Sequence, residues 1–343
     1  MDRTLCLHLL GALCVLCVEF SFFSLLWPRP RSGRNMRVLI SGSTGLIGSA
    51  LAASLRDAGH ETAGLVRPGS AATGANVRWD PSAGDIDADA LVGFDAVVHL
   101  AGESISGRWT RARKDRIADS RVQGTQTLCK ALAALDAAAR PAVLIGASAV
   151  GYYGDRGDDL LAEDAGPGKM FLSDVCGQWE AATASAAGAG IRVANARFGV
   201  VLSARGGALR KMLTPFGMGL GGRIGSGRQY MSWIALGDAV AAIRWILDHA
   251  ALAGPVNVAS PNPVTNAQFA AALGRALRRP ALLPTPAFAL RLAFGQMADE
   301  LLLASARVVP RKLLDSGFKF RSPTLPEALR EAMDEKRSAP SSP

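Results

Sequence analysis

The chain is organised around one run of residues, Val38-Leu39-Ile40-Ser41-Gly42-Ser43-Thr44-Gly45-Leu46-Ile47-Gly48. Arg37 to Ile40 is predicted to form a short apolar strand, of the kind that parallel sheets bury on both faces. Apolar and small residues recur at helical spacing from Leu46 to Ala58, and Gly59 is expected to end that helix. A strand, a glycine-rich turn and a helix in this order form the context that a phosphate-binding loop requires.

The glycines of this run have separate roles in such a loop. Gly42 permits the tight turn, Gly45 lets the backbone approach a pyrophosphate, and Gly48 lets the helix pack close to the strand. The phosphates then lie at the positive N-terminus of the helix. The alternative is a turn with a structural role only. The cofactor contacts predicted in the turn are Gly42, Thr44, Gly45, Leu46, Ile47 and Gly48.

Length and composition allow one α/β domain with a smaller lobe and argue against several other classes of protein. The chain has 343 residues, of which 49% are hydrophobic, so it can bury a large core. The chain has a net charge of +9, but it contains no basic block with interleaved aromatics of the kind that is typical of nucleic-acid-binding surfaces. Nucleic acid is therefore not a predicted partner. Its five cysteines show neither a disulfide framework nor metal-ligand spacing, which predicts no metal site and a reducing compartment.

The N-terminal residues permit two interpretations. Leu5 to Trp27 is apolar and long enough to span a bilayer, although His8 and Glu19 interrupt it. Arginines follow, and the positive-inside rule then places the folded domain in the cytoplasm, tethered to the inner face of the membrane. Alternatively, residues 1–35 are a misassigned upstream start, because Met36 directly precedes the first strand. The protein is then cytoplasmic without an anchor, and residues 5–27 are the only predicted membrane contact.

The residue after the second strand distinguishes between the two nicotinamide cofactors. This strand is predicted over Glu61 to Val66 and is followed by Arg67. Dinucleotide-binding proteins that prefer NAD place an acid here to hold the ribose 2′-hydroxyl, whereas an arginine suits a 2′-phosphate. Arg67 therefore predicts NADP(H), with a solvated loop arginine as the alternative. A third strand is predicted to end at Asp80, which either faces the adenine or closes an ordinary turn.

Several motifs resemble those of the extended short-chain dehydrogenase/reductase superfamily. The glycine spacing differs from the commonest fingerprint, G-x-G-x-x-G, and is similar to that superfamily's T-G-x-x-G-x-x-G. A fourth strand, Asp95 to Leu100, ends in Ala101-Gly102, which resembles H-L-A-G/A. In a long helix predicted from Trp109 to Asp136, Arg121-Val122-Gln123-Gly124-Thr125 resembles N-V-x-G-T. Arginine replaces asparagine there, so Arg121 is predicted to bind a cofactor phosphate or an anionic substrate, with a surface ion pair as the alternative.

Candidate catalytic groups follow the fifth strand, which is predicted over Ala142 to Ile145. The segment Gly146 to Asp155 resembles S-S-x-x-V-Y-G. It places Ser148 where the superfamily has a catalytic serine or threonine, whose hydroxyl can hydrogen-bond a substrate carbonyl or alcohol. Tyr152 and Tyr153 of the same segment are candidate proton donors, and packing or turn roles are the alternative for both.

The superfamily's usual proton relay, Y-x-x-x-K, is missing from the next helix. Counting back from Glu180 places Leu172 at the tyrosine position and Cys176 at the lysine position. Neither side chain can supply the proton or bind the nicotinamide ribose. The two tyrosines above are considered for this reason.

The second half of the chain carries the predicted substrate side. A sixth strand covers Ile191 to Ala196, and Arg228 to Asp238 resembles the extended branch's G-x-G-x-Q-x-x-x-[FW]-I-x-V-x-D. Arg228 and Trp233 are predicted to be walls of the substrate cleft. Asp238 is predicted to cap the N-terminus of a helix that begins at Ala239.

A small lobe is predicted at the C-terminal end. A helix opens at Thr265 or Asn266 and continues through Leu277. Further helical segments are predicted over Phe288 to Ala304 and Thr324 to Met333. The remaining residues, 334–343, are predicted to be a disordered tail.

In combination, the motifs closely resemble the "epimerase family protein" branch of atypical extended short-chain dehydrogenases, over residues 36–333. The resemblance implies an α/β fold in which a Rossmann-type doubly wound parallel sheet (36–260) binds NADP(H). A small, mostly helical C-terminal lobe (261–333) then lies on the substrate side. Members of this branch also lack the tyrosine–lysine pair. The resemblance implies cofactor contacts at Arg67, Leu100, Ala101 and Arg121. Gly102 is predicted as a further contact, because small residues at the strand end let the backbone approach a cofactor.

Two functions of different classes are expected from this reading. The first is an NADP(H)-dependent oxidoreductase or epimerase-like enzyme that acts on a small polar molecule. The second is a non-catalytic NADP(H)-binding protein with a redox-sensing or regulatory role, which the missing tyrosine–lysine pair suggests.

Overall fold

The structure is a computed structural model that describes residues 35–69 and 76–338. Within these two ranges, no helix combines the length and the hydropathy that crossing a bilayer requires. The anchor predicted for residues 5–27 lies outside the described residues, and so does the alternative that residues 1–35 are a misassigned start.

Fourteen strands and eleven helices are present in the described residues. The strands are β1 (Arg37–Ser41), β2 (Glu61–Val66), β3 (Asn76–Asp80), β4 (Asp85–Ile86), β5 (Ala96–His99), β6 (Val143–Ala149), β7 (Leu160–Leu161), β8 (Arg192–Phe198), β9 (Val200–Leu202), β10 (Tyr230–Met231), β11 (Trp233–Ala235), β12 (Gly254–Val258), β13 (Val264–Thr265) and β14 (Arg307–Val308). The helices are α1 (Leu46–Asp57), α2 (Arg111–Ala134), α3 (Phe171–Ala181), α4 (Ala184–Gly188), α5 (Gly207–Gly217), α6 (Leu236–Asp248), α7 (Asn266–Leu277), α8 (Ala287–Phe294), α9 (Gln296–Ala298), α10 (Arg311–Asp315) and α11 (Leu325–Ser338).

The main sheet has eight strands in the order β12-β8-β6-β5-β1-β2-β3-β4. Its first seven strands are parallel, and the short strand β4 is antiparallel to β3. The chain moves from β1 in one direction to β2 and β3, and then crosses back to β5 on the other side of β1. This reversal leaves a crevice at the carboxyl ends of β1 and β5, where open α/β sheets bind their ligands.

Both faces of the sheet are covered, which explains why its central strands are apolar throughout. Val38 and Ile40 of β1 pack in one core with Leu51 of α1 and Ile243 of α6. Leu39, which points to the opposite face, packs in a second core with residues of α2. Helices on both faces of a mostly parallel sheet define the Rossmann-type doubly wound α/β fold, so the predicted fold class is confirmed.

Helices and short strands of the second half of the chain form a smaller unit with its own apolar core. Trp233 of β11 and Phe269 of α7 are buried there against Leu329 of α11. Thr265 caps α7, because its side chain accepts a hydrogen bond from the Gln268 amide and the Gln268 side chain bonds back. The predicted start of this helix is therefore confirmed.

Three predicted details of this half differ from the structure. The helix predicted over Phe288 to Ala304 is interrupted at Gly295, whose φ of +60° ends α8 before a short α9 and a π-helical turn. The predicted tail begins too early, since α11 continues to Ser338. Asp238 is not an N-cap: it lies inside the first turn of α6, and its carboxylate accepts hydrogen bonds from the amides of Arg321 and Ser322.

Candidate functional site

The glycine-rich turn between β1 and α1 has the geometry of a phosphate cradle. Gly42 has a φ of +67°, and the Gly45 amide donates to the Gly42 carbonyl at 2.9 Å. A Cβ atom at Gly48 would lie 2.2 Å from that carbonyl oxygen, so only glycine lets α1 approach so closely. No side chain caps α1 and no acid lies in its first turn, which leaves the helix amides free to bind an anion. A pyrophosphate therefore fits this turn.

The turn is held against the end of β5 by a buried pair that the sequence analysis missed, Ser41 and His99. The Ser41 Oγ accepts hydrogen bonds from the amides of Leu100 and Ala101, at 3.0 and 3.1 Å. The same Oγ shares a hydrogen bond with His99 Nδ1, 2.7 Å away, and His99 Nε2 is buried without a partner among the described residues. Burial lowers the pKa of His99 to about 4, so the ring is neutral. Its position in the H-L-A-G motif was the available signal.

Gly42 also lies close to the same strand end. A Cβ atom at Gly42 would be 3.0 Å from the Leu100 carbonyl carbon and 3.1 Å from the Ala101 nitrogen. The structure thus brings together the glycine turn and the Leu100–Gly102 segment, as the predicted set of cofactor contacts requires. Contact with a cofactor at these positions remains a prediction.

Arg67 lies at the carboxyl end of β2, next to the end of β3, and its side chain is exposed. Asp80 ends β3 and accepts hydrogen bonds from the Ser82 amide and hydroxyl and from the Ala83 amide. The Ser82 hydroxyl and these amides lower the pKa of Asp80. Asp80 therefore closes a turn. Its carboxylate also attracts the exposed Arg67, whose contact with a cofactor phosphate remains a prediction.

Arg121 of α2 is not a surface ion-pair residue. Its guanidinium donates to the carbonyl oxygens of Ile117 and Glu103, at 3.0 and 3.1 Å, and lies 5.1 Å from the Trp179 ring centre. Gly102 packs beside it, since a Cβ atom there would lie 3.4 Å from the guanidinium carbon. Burial is the main cause that lowers the pKa of Arg121. The structure thus places this cation at the end of β5, and its predicted ligand remains untested.

Ser148 lies at the end of β6 and is bonded to a buried ion pair. Its hydroxyl is 2.6 Å from Glu180 Oε1. Glu180 also pairs with Arg197 of β8, which lies opposite Ser148 in the parallel register. The Arg197 side chain is only 3% exposed and that of Glu180 only 12%. Glu180 was the reference from which the relay positions were counted, but its pairing with Arg197 could not be inferred from the sequence.

The two neighbouring tyrosines have different environments. Tyr153 is fully buried, and its hydroxyl lies 2.7 Å from Asn257 Oδ1 and 3.0 Å from Arg197 Nη1. A side chain without accessible surface cannot reach a substrate, so the prediction that Tyr153 donates a proton is corrected: its role is structural. Tyr152 is partly exposed, and its ring centre lies 3.5 Å from the Arg197 guanidinium carbon.

Leu172 and Cys176 occupy the relay positions and are both buried. Leu172 packs with Trp109 and Ile117 in a small apolar cluster. Burial raises the pKa of the Cys176 thiol to about 11, so the thiol stays protonated at neutral pH. Neither residue can perform the chemistry of the tyrosine–lysine pair.

The first turn of α3, which contains Leu172, is capped from the other end of the chain. The carboxylate of Glu300 accepts hydrogen bonds from the amides of Phe171 and Leu172, at 3.2 and 2.8 Å. No pattern in the sequence indicated this contact, because 128 positions separate Glu300 from Leu172.

The two predicted substrate residues differ in position. Trp233 is fully buried in the core with Phe269, and its indole nitrogen donates to the Asn262 carbonyl at 3.1 Å. The prediction that Trp233 is a wall of the cleft is therefore wrong. Arg228 is exposed and remains a candidate. Across the described ranges, no group of three or more histidine, cysteine, aspartate or glutamate side chains is placed to hold a metal ion.

Comparison with known proteins agrees with this geometry. Residues 38–259 match the model of the NAD dependent epimerase/dehydratase family, and residues 285–332 match a domain of unknown function, DUF1731. The chain is 48% identical over 296 residues to the epimerase family protein Mb2239 of Mycobacterium bovis, which covers 86% of this chain and 97% of that protein. It is 37% identical over 301 residues to the human epimerase family protein SDR39U1, which covers 86% and 99%.

Two solved structures are similar over most of this chain. One is human SDR39U1 (isoform 2) with NADPH, at 34% identity and a TM-score of 0.77, covering 87% of this chain and 99% of that one. The other is the nucleoside-diphosphate sugar epimerase of Corynebacterium glutamicum, at 37% identity and a TM-score of 0.73, covering 91% of this chain and 60% of that one. The resemblance inferred from the motifs is thus confirmed, and the chain belongs to the NAD dependent epimerase/dehydratase family.

Proposed function

We propose that this protein binds NADP(H) and acts as an oxidoreductase or epimerase on a small polar molecule. The observation that carries the proposal is the glycine cradle, in which a Cβ atom at Gly48 would lie 2.2 Å from the Gly42 carbonyl oxygen and one at Gly42 would lie 3.0 Å from the Leu100 carbonyl carbon. A relative 34% identical to this chain was solved with NADPH, which supports the same cofactor here. Arg67 would select the 2′-phosphate.

The residues of the chain have distinct tasks in such a reaction. The cofactor, when bound, supplies or accepts the hydride. Tyr152 is the proposed proton donor, because it is partly exposed, follows Ser148 in the segment after β6, and has the Arg197 guanidinium against its ring. Ser148 is only 3% exposed and donates its hydroxyl proton to Glu180, so it would act by holding the segment after β6 in position.

Two cations, Arg121 and the exposed Arg228, favour a polar or anionic substrate. The guanidinium of Arg121 lies at the end of β5, and Arg228 is exposed in the glycine-rich loop before β10. A relative 37% identical to this chain is described as a nucleoside-diphosphate sugar epimerase, which makes phosphate-bearing sugars the first class to test.

A second candidate function is non-catalytic NADP(H) binding with a sensing or regulatory role. The observation that favours it is the pair Leu172 and Cys176, which are buried and inert where the relay residues are expected. Both candidates require the cofactor and differ only in turnover.

Two measurements test the proposal. NADPH and NADH are titrated against the purified protein by fluorescence, and hydride transfer is then followed with a panel of carbonyl compounds and nucleoside-diphosphate sugars. NADPH binding with turnover that falls in Tyr152→Phe supports the enzyme, whereas NADPH binding without any turnover supports the sensor. The absence of NADPH binding would exclude both.

A further inference from the structure

The C-terminal lobe exposes an unusual number of large apolar side chains on neighbouring segments. Helix α8 buries Leu290, which is 9% exposed, but leaves Phe288 and Leu292 at 72% and 77%. These two residues are four positions apart and therefore share one face of the helix. Helix α8 therefore packs on the protein through one apolar side and exposes a second apolar side to solvent. Exposed apolar patches of this kind mark surfaces that bind a protein or a membrane.

Two loops extend this surface. Leu282 and Leu283, which are 81% and 52% exposed, lie just before α8. The Leu283 amide donates to the Gly221 carbonyl, so this segment runs beside the loop that follows α5. That loop exposes two further apolar side chains, and we define the apolar face as Met218, Leu220, Leu282, Leu283, Phe288 and Leu292.

The apolar face lies in a strongly basic part of the chain. Residues 249–298 contain four arginines and neither aspartate nor glutamate. Arg278 and Arg279, at the end of α7, are exposed and precede the apolar face by a few residues, and neither is in an ion pair with a described residue. Arg223 is exposed on the neighbouring loop, where its carbonyl accepts from the Thr285 amide. Arg291, which lies between Phe288 and Leu292, pairs with Asp299, and the remaining arginines make the charge beside the apolar face positive.

We propose that this face docks on an anionic lipid bilayer. Exposed leucine and phenylalanine side chains flanked by arginines are the combination by which proteins lie at a membrane surface: the apolar groups enter the acyl boundary while the cations meet the headgroups. The contact is separate from the anchor predicted for residues 5–27. It would hold the C-terminal lobe at the membrane whether or not those residues are present.

Hydrogen exchange of the full chain locates such a contact. The probe is a vesicle of equal parts phosphatidylcholine and phosphatidylglycerol, with pure phosphatidylcholine vesicles as the comparison. We expect slower amide exchange in residues 278–294 and 217–224 with the anionic vesicles only. The protected amides have to be assigned to positions in the chain, because residues 5–27 would bind a vesicle by themselves if they form the predicted anchor.

Two pairs of substitutions test the two halves of the argument. Leu282→Glu with Phe288→Glu should abolish the protection. Arg278→Gln with Arg279→Gln should raise the lipid concentration for half-maximal protection about 30-fold, because each basic residue at such a surface contributes about 1 kcal/mol and 1.4 kcal/mol is a factor of ten. The matched controls, Leu160→Glu and Arg56→Gln, change an exposed leucine and an exposed arginine elsewhere and should leave the protection unchanged.

Three outcomes would overturn the proposal. One is vesicle binding without protection of residues 278–294, which would leave the anchor as the only contact. Another is equal protection by pure phosphatidylcholine. A third is protection that appears without vesicles and increases with protein concentration, which would identify a second copy of the chain as the partner. Unchanged urea denaturation of all variants shows that the fold is retained.

Discussion

Glu180 and Arg197 form a bidentate ion pair near the carboxyl ends of β6 and β8. Arg197 Nε lies 2.8 Å from Glu180 Oε1, and Arg197 Nη2 lies 2.8 Å from Oε2. The same two side chains bond Ser148 and Tyr153, so one ion pair fixes the positions of two residues from the segment after β6. The order of this segment therefore depends on a contact between α3 and β8.

Removing one partner of this pair should be strongly destabilising. We expect Arg197→Leu to lower the free energy of unfolding by about 3–5 kcal/mol, because it leaves the Glu180 carboxylate buried without its counter-charge. Urea denaturation measures the change. Arg311→Leu is the matched control: its ion pair with Asp164 is exposed, so its loss should cost no more than about 1 kcal/mol. Equal losses in the free energy of unfolding would show that the buried pair stabilises the fold no more than the exposed pair does.

The close approach of α1 to the glycine turn can be tested with a single methyl group. Gly48→Ala places a Cβ atom 2.2 Å from the Gly42 carbonyl oxygen, and we expect it to cost about 1–3 kcal/mol of stability and to abolish NADPH binding. Gly177→Ala in α3 is the control. Nothing lies within 4 Å of the added Cβ there, so alanine should stabilise its helix by about 0.5–1 kcal/mol. Normal NADPH binding by the Gly48 variant would contradict the cradle.

The role of Arg67 predicts a change in cofactor preference rather than in stability. Arg67→Ser should weaken NADPH binding roughly 10–100-fold, the loss expected for one charge-assisted hydrogen bond, and should leave NADH binding unchanged. Fluorescence titration with both cofactors measures the ratio. Arg56→Ser removes another exposed arginine, at the end of α1, and should change neither affinity. A parallel loss of NADH binding in the Arg67 variant would argue against a 2′-phosphate contact.

His99 predicts a specific dependence of stability on pH. Burial lowers its pKa from 6.5 to about 4, so between these values the unfolded chain binds a proton that the folded chain does not. This stabilisation is complete above pH 6.5 and is lost as the pH falls towards 4, by up to about 3 kcal/mol. We expect His99→Asn, which retains an acceptor for Ser41, to lose less stability than the wild type between pH 7 and about 4.5. Identical pH profiles in urea denaturation would refute this assignment.

The features that sequence patterns predicted well are those determined by neighbouring residues. The strand from Glu61 to Val66, the turn from Gly42 to Gly48 and the cap of α7 each depend on contacts within a few positions of the chain. Their physical causes, which are a continuous buried run, positive φ and a capping box, are visible in a short window of the sequence.

The errors arose where distant residues decide the environment. Tyr152 and Tyr153 are equivalent in sequence, but partners 44 and 104 positions away draw the second into the core. Asp238 resembled a cap, yet the amides that it binds lie 83 and 84 positions downstream. Trp233 occupied a cleft position in the motif, and only the packing of α7 and α11 shows it to be buried. No local pattern carries this information.

The cap that Glu300 provides to α3 also bears on how the two halves of the chain can be separated. Helix α3 lies where this superfamily usually has its proton donor. The amides of its first turn donate to Glu300, which belongs to the DUF1731 region. A fragment that ends after residue 259 would leave those amides without the Glu300 carboxylate. It would also expose the apolar cluster around Trp109, to which Met297 belongs. The DUF1731 region therefore completes the first turn of α3 and its apolar cluster, and the sheet without that region would be an altered protein.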